Sequence, residues 1–247
     1  MAVKTEWVTA KTPEGDMRVY VARPEGSQPL PGIIVIQEIF GVNEHIQDVT
    51  RRYAEQGFVA AAPEIFHRFE QKEAPYSDVQ AGFALRQRLS DNQVMDDVNA
   101  TCDLLNSRSD VQKGQIGIVG FCYGGRVVYL ALTRNPNLKA GAAFYGGGIA
   151  ADAADAPVNA TANIRAPIHL FFGGKDQSIP AEQVSKIETA LKQNNKRYEL
   201  SWYPEAPHGF CCDARPGSYH EESARDAFPK AVNFFKRTLG GAVAAAA

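Results

Sequence analysis

The stretch Gln115-Ile116-Gly117-Ile118-Val119-Gly120-Phe121-Cys122-Tyr123-Gly124-Gly125-Arg126-Val127-Val128 decides the fold of this chain. Its first five residues are an apolar run suited to a buried strand, and Arg126 to Leu132 reads as a helix. Between them, Gly120 to Gly125 has the layout of a nucleophile elbow, the sharp strand-to-helix turn that presents a reactive side chain, with cysteine where serine is usual. A side chain at Gly120 or Gly124 would crowd that turn. A helix starting beside Cys122 also places partial positive charge near the sulfur, which favours the thiolate. The stretch implies a hydrolytic site whose nucleophile is a thiol.

Outward from the elbow, the chain alternates strands and helices. It opens on two β-rich segments, Thr5 to Thr12 and Asp16 to Arg23, with Gly15 as the turn of an antiparallel hairpin. Gly32 to Ile36 is continuously apolar, as a strand covered on both faces must be. Asn43 can cap a helix over Glu44–Gln56, and Phe58 to Ala62 is the next strand. Glu64 to Ser77 is irregular, and helices are expected around Ala81–Leu89 and Gln93–Asn106. After the elbow come strands at Ala140–Tyr145, Pro167–Phe172 and Tyr198–Tyr203, with helices at Ala181–Gln193 and Glu221–Leu239. This order predicts an α/β fold, a mostly parallel sheet with helices on both faces. No repeat or linker divides the chain, so residues 1–239 are expected to form one domain and 240–247 a loose tail.

Composition narrows the partners. The 247 residues carry 26 basic and 28 acidic side chains, a net charge of −2, so nothing steers the chain to nucleic acid or acidic lipid. No apolar run is long enough to span a membrane, and the first residues lack the pattern of a signal peptide. A small-molecule substrate, a cytoplasmic location and a monomer or small homo-oligomer are expected. The four cysteines, at 102, 122, 211 and 212, form no CxxC pair and read as reduced thiols. Cys211-Cys212 has no second ligand pair to complete a zinc site, so neither metal nor cofactor is expected.

Parallel α/β sheets carry their chemistry in loops beyond the carboxyl ends of the strands. Cys122, Asp176 in Gly173-Gly174-Lys175-Asp176, and His208 in Ala206-Pro207-His208-Gly209-Phe210 all fall on such loops. Nucleophile, acid, histidine is the chain order of an α/β-hydrolase. An imidazole titrating near neutrality can shuttle the thiol's proton, and a carboxylate behind it fixes the tautomer. Asp176 alone could equally cap the helix that starts near Pro180. Glu38 follows the strand ending at Ile36, and Phe40 and Tyr145 lie on loops expected to face Cys122.

QEIFGVN at 37–43, GFCYGG at 120–125, FYGG at 144–147, GGKDQSIP at 173–180 and the His208 loop together resemble the dienelactone hydrolase family over nearly the whole chain. The resemblance implies an α/β-hydrolase fold and hydrolysis of a small ester or lactone without a cofactor. It also implies that a glutamate at Glu38 holds the resting thiol and helps to generate the thiolate when displaced. Backbone N–H groups of Ile39 and Tyr123 would bind the oxyanion. In the enzyme that names the family, an arginine four residues after the histidine binds the substrate carboxylate. Here that position is Cys212, and the nearest arginine is Arg215. A second such arginine, upstream of the elbow, could be Arg68, Arg86 or Arg88. The same machinery could serve other electrophiles, such as aryl esters, thioesters or phosphotriesters. A ligand receptor on the same scaffold would keep the fold without the chemistry.

Overall fold

A computed structural model describes residues 2–26 and 28–240. Among the described residues, eight strands form a single sheet in the order β1-β2-β4-β3-β5-β6-β7-β8. The hairpin β1 (Val3–Thr12) and β2 (Gly15–Pro24) is antiparallel, and β2 also runs antiparallel to β4 (Val59–Pro63). All other neighbours are parallel: β4 with β3 (Leu30–Ile36), β3 with β5 (Val111–Phe121), then β6 (Ala140–Phe144), β7 (Ile168–Gly173) and β8 (Tyr198–Tyr203). Strands β4, β6 and β7 are buried at every position, because helices cover the sheet on both sides.

Helices α1 (Glu44–Glu55) and α6 (Glu221–Leu239) share one face, where Tyr53 meets Phe228 and Phe235. Helices α3 (Asp91–Ser107) and α4 (Tyr123–Arg134) lie on the other, and Leu105, Val128 and Leu132 pack down onto Gly32 and Gly141 of the sheet. Polar side chains set the helix starts. The Asn43 side chain accepts the Ile46 N–H at 3.1 Å, and Ser90 with Gln93 forms a capping box at the head of α3.

Several element boundaries differ from the sequence expectation. Helix α2 spans Val79–Gln87, starting earlier than Ala81 because the Asp78 carboxylate accepts the Ala81 N–H at 2.9 Å and caps it. A short 3₁₀ segment at Pro157–Asn163 precedes β7, and helix α5 follows it at Ala181–Gln193. Gly240 closes α6 in a left-handed conformation, φ 71°. It therefore belongs to the helix cap, and the rest of the expected tail, 241–247, lies outside the described residues.

Candidate active site

Strands β3, β5, β7 and β8 all point the same way, so their carboxyl ends bring Glu38, Cys122, Asp176 and His208 to one edge of the sheet. Cys122 sits at the tip of the elbow with φ 54° and ψ −114°, a conformation that costs an ordinary residue about 1–3 kcal/mol. The surroundings hold it there. Its N–H donates to the Phe144 carbonyl at 3.0 Å, and its own carbonyl accepts from the Gly125 and Arg126 N–H groups. A Cβ at Gly120 would lie 2.1 Å from the Gly124 carbonyl oxygen, and one at Gly124 would lie 2.4 Å from that of Ile36. Both positions must be glycine for the turn to close.

His208 comes from the edge strand β8 and is folded back toward β5. The Lys175 N–H donates to the Ala206 carbonyl at 3.0 Å, and the Gly174 N–H to that of Tyr203 at 2.7 Å, which pins this loop to the end of β7. His208 Nδ1 donates to Asp176 Oδ2 at 2.7 Å. The other Asp176 oxygen accepts the Ser178 N–H at 2.8 Å, while α5, with Pro180 at its N-cap, has no side-chain cap. Asp176 thus binds the histidine and caps no helix. Burial pushes the imidazolium down, but the bond to Asp176 and the Cys122 sulfur outweigh it and raise His208 to about 10. The other three thiols are disfavoured as thiolates by burial, Cys102 pushed up to about 11, Cys212 to about 12 and Cys211 well above its usual range.

Cys122 and His208 open into a cavity of about 670 Å³, lined also by Ile39, Phe40, Tyr123 and Arg215. Neither the Ile39 nor the Tyr123 N–H donates to an acceptor among the described residues. The Arg215 guanidinium lies 5.4 Å from the Phe40 ring centre and 5.6 Å from that of Tyr76, and has no acidic partner among the described residues. A hollow of similar size, about 690 Å³, is lined by His45, Tyr76 and Asp213 and contains none of the predicted site residues.

One expectation is corrected. Tyr145 does not line the cavity. Its backbone takes φ 37°, and its fully buried ring packs edge-on against His208 with centroids 5.3 Å apart. Glu38 is also fully buried, but neither carboxylate oxygen has a hydrogen-bond partner among the described residues. The bond from the resting thiol to Glu38 that the resemblance implies is therefore not made in this arrangement.

The structure also separates the three upstream arginines. Arg68 is bound to Glu14 and to buried Asp97, and Arg88 lies over the Phe69 ring at 3.9 Å. Arg86 reaches the cavity, 5.1 Å from the Tyr123 ring centre. Val79 and Phe83, which the sequence reading passed over, line it from the same helix. The signal was present: positions 79, 83 and 86 recur at i, i+4 and i+7 on one helical face. Arg126 lines the cavity too, but its fork is taken by Asp91 at 2.7 and 2.9 Å. No cluster of three His, Cys, Asp or Glu side chains that could hold a metal occurs among the described residues. Nor is any described helix long and apolar enough to cross a membrane.

Comparison with known proteins bears directly on this geometry. The family model "Dienelactone hydrolase family" matches residues 17–239. A Synechocystis protein named "Putative carboxymethylenebutenolidase" is 39% identical over 244 residues, covering 96% of this chain and 98% of its own length. A Bradyrhizobium protein named "Probable 2-oxo-3-(5-oxofuran-2-ylidene)propanoate lactonase" is 33% identical over 85% of this chain and 86% of its own. A crystal structure titled as a putative dienelactone hydrolase from Klebsiella pneumoniae superposes with a TM-score of 0.88 at 34% identity, covering 96% of this chain and all of that one. The matched span takes in every loop that carries a predicted site residue, and on that ground the chain belongs to the dienelactone hydrolase family and is an enzyme of the lactone- and ester-hydrolysing class.

Proposed function

We propose that the chain is a thiol-dependent hydrolase of small esters or lactones in which Cys122 is the nucleophile, His208 the proton shuttle and Asp176 the residue that orients it. The observation that carries this reading is the 2.7 Å bond from His208 Nδ1 to Asp176, in a ring raised to about 10 by that carboxylate and by the Cys122 sulfur. A histidine held so is an imidazolium at neutral pH, the partner a thiolate needs. The thiolate adds to the substrate carbonyl, and the oxyanion is received by the free N–H groups of Ile39 and Tyr123. Collapse expels the alkoxide, which takes a proton from His208 and leaves a thioester on Cys122. Water, deprotonated by His208, cleaves the thioester to a carboxylic acid and returns the thiol. In a lactone the released alcohol stays attached to the acyl part.

Glu38 acts on the same cycle through its charge. We take Glu38, free of hydrogen bonds here, to be in the arrangement that does not hold the thiol. Arg86 and Arg215 give the cavity two cationic groups and so suit a substrate that carries a carboxylate. The Bradyrhizobium relative is named for a substrate of that kind, a furanone lactone bearing a propanoate.

Steady-state hydrolysis across lactones, aryl esters and phosphotriesters tests the proposal. Cys122→Ala is expected to abolish turnover, while Cys102→Ala retains most of it. Wild-type rates in Cys122→Ala would overturn the reading. A preference for neutral over carboxylate-bearing lactones would remove the two arginines from substrate binding.

A further inference from the structure

Helix α2 is built around Gly82, where glycine is a poor choice. It occupies a helix interior with no positive φ, a place where alanine forms the better helix. Space supplies the reason for it. A Cβ at Gly82 would meet Ile39 Cγ1 at 3.0 Å, Cδ1 at 3.1 Å and the Ile39 carbonyl oxygen at 3.1 Å. The helix therefore rests directly on the side chain and carbonyl of Ile39, whose N–H donates to no acceptor among the described residues. The segment before it holds the same loop: the Ala74 N–H donates to the Phe40 carbonyl at 3.1 Å. Next to Gly82 on the chain, Phe83 lines the cavity, and one turn further on so does Arg86.

We propose that Gly82 is a positioning residue for the oxyanion site, its missing side chain letting α2 seat the Ile39 peptide where its N–H meets the oxygen that becomes negative on attack. The inference rests on the reading of Ile39 as an oxyanion donor. Because the helix that touches Ile39 also carries Phe83 and Arg86, contacts to the remote part of the substrate bear on the same peptide. Substrate recognition and transition-state stabilisation then share one rigid element.

Gly82→Ala is the test, because alanine suits the helix and changes only the clearance over Ile39. Thiol alkylation by iodoacetamide builds no oxyanion, whereas acylation by p-nitrophenyl acetate does. The variant is expected to acylate about 10- to 100-fold more slowly, short of the ~10²–10³ lost when an oxyanion donor is deleted outright. Its iodoacetamide rate and melting temperature should match wild type. Inhibition by an aryl trifluoromethyl ketone, which adds to the thiol as a tetrahedral oxyanion, should weaken by the same factor as acylation. Adding Ile39→Ala removes both side-chain contacts and should restore most of the rate. Equal losses in acylation and alkylation, or no loss in either, would overturn the inference. Hydrolysis surviving in Cys122→Ala would instead overturn the thiol mechanism beneath it, whatever Gly82→Ala does.

Discussion

The loop after β7 and the loop after β3 each bury a carboxylate at the same edge of the sheet, Asp176 at 6% exposure and Glu38 at 1%. Around Asp176 every polar need is met: one oxygen takes the His208 ring and the other a backbone N–H. Around Glu38 none is met, and its neighbours are groups that its charge works against. That charge follows burial in raising the Cys212 thiol and in pushing the Tyr145 phenol well above its usual range. A satisfied carboxylate is anchored and transmits orientation. An unsatisfied one stores electrostatic cost that a change in the site can release. The proposed mechanism gives these two residues different roles, one holding a geometry and the other responding to occupancy, and their surroundings differ in the same sense.

The largest effect should come from Asp176. Asp176→Asn keeps the shape and offers His208 a donor in place of an acceptor on one side, favouring the wrong tautomer. A fall in kcat on the order of 10⁴ is expected, as in serine triads, with a product analogue still bound. Wild-type turnover in this variant would mean that another carboxylate orients the ring.

Glu38→Gln should cost less, about 10²- to 10³-fold in turnover, a loss of the size that general acid–base groups contribute. Stability sharpens the contrast. Asp176→Ala leaves the half-buried His208 ring without its partner and should destabilise the fold by about 1 kcal/mol or more. Glu38→Gln exchanges one unpartnered buried polar side chain for another of the same size and should leave stability within about 1 kcal/mol of wild type. Urea denaturation of both variants checks the pair, and equal losses would show that the two carboxylates are anchored alike. The pH profile of Cys122 alkylation with and without a bound product analogue isolates Glu38: a ligand dependence in wild type should vanish in Glu38→Gln.

A smaller and slower effect lies in pH. His208 is raised from about 6.5 in the unfolded chain to about 10 in the fold, so its charged form is the one the fold favours. The resulting stabilisation is complete below about pH 6.5, declines as pH rises and is gone above about 10. Wild type and His208→Gln should therefore converge in stability across that window. Ring titration followed by NMR should shift downward in Asp176→Asn, and also in Cys122→Ala, because each removes one of the groups that raise it.

Much of this site could be read before the fold was seen, because each part is fixed by short-range chemistry. The elbow needs two small residues at set positions. Asp176 follows an apolar strand and His208 an alternating edge strand, in the order the fold demands. What escaped the sequence depends on long-range packing. Nothing local says that β2 pairs with β4, placing the hairpin outside β3. Nothing in FYGG says that Tyr145 takes a positive φ and turns its ring under His208. The face of Val79, Phe83 and Arg86 was periodic but too short to stand out, and only the packing of Gly82 on Ile39 places it over the site. Among three candidate arginines, the partners of Arg68 and Arg88 decided the matter, and those partners lie far away in sequence.

His208 belongs to the loop after β8, the outermost strand, and β6 and β7 stand between that strand and the elbow. At about 4.8 Å per strand, the histidine loop must reach back some ~14 Å to meet the sulfur. As the polypeptide emerges during synthesis, residues 38 and 122 are made well before residue 208. A nascent chain that has completed β5 but not β8 holds Cys122 without His208. Under the proposed mechanism the thiol gains its proton shuttle only with the last edge of the sheet, and hydrolysis by a freshly made chain reports that the final strand has docked.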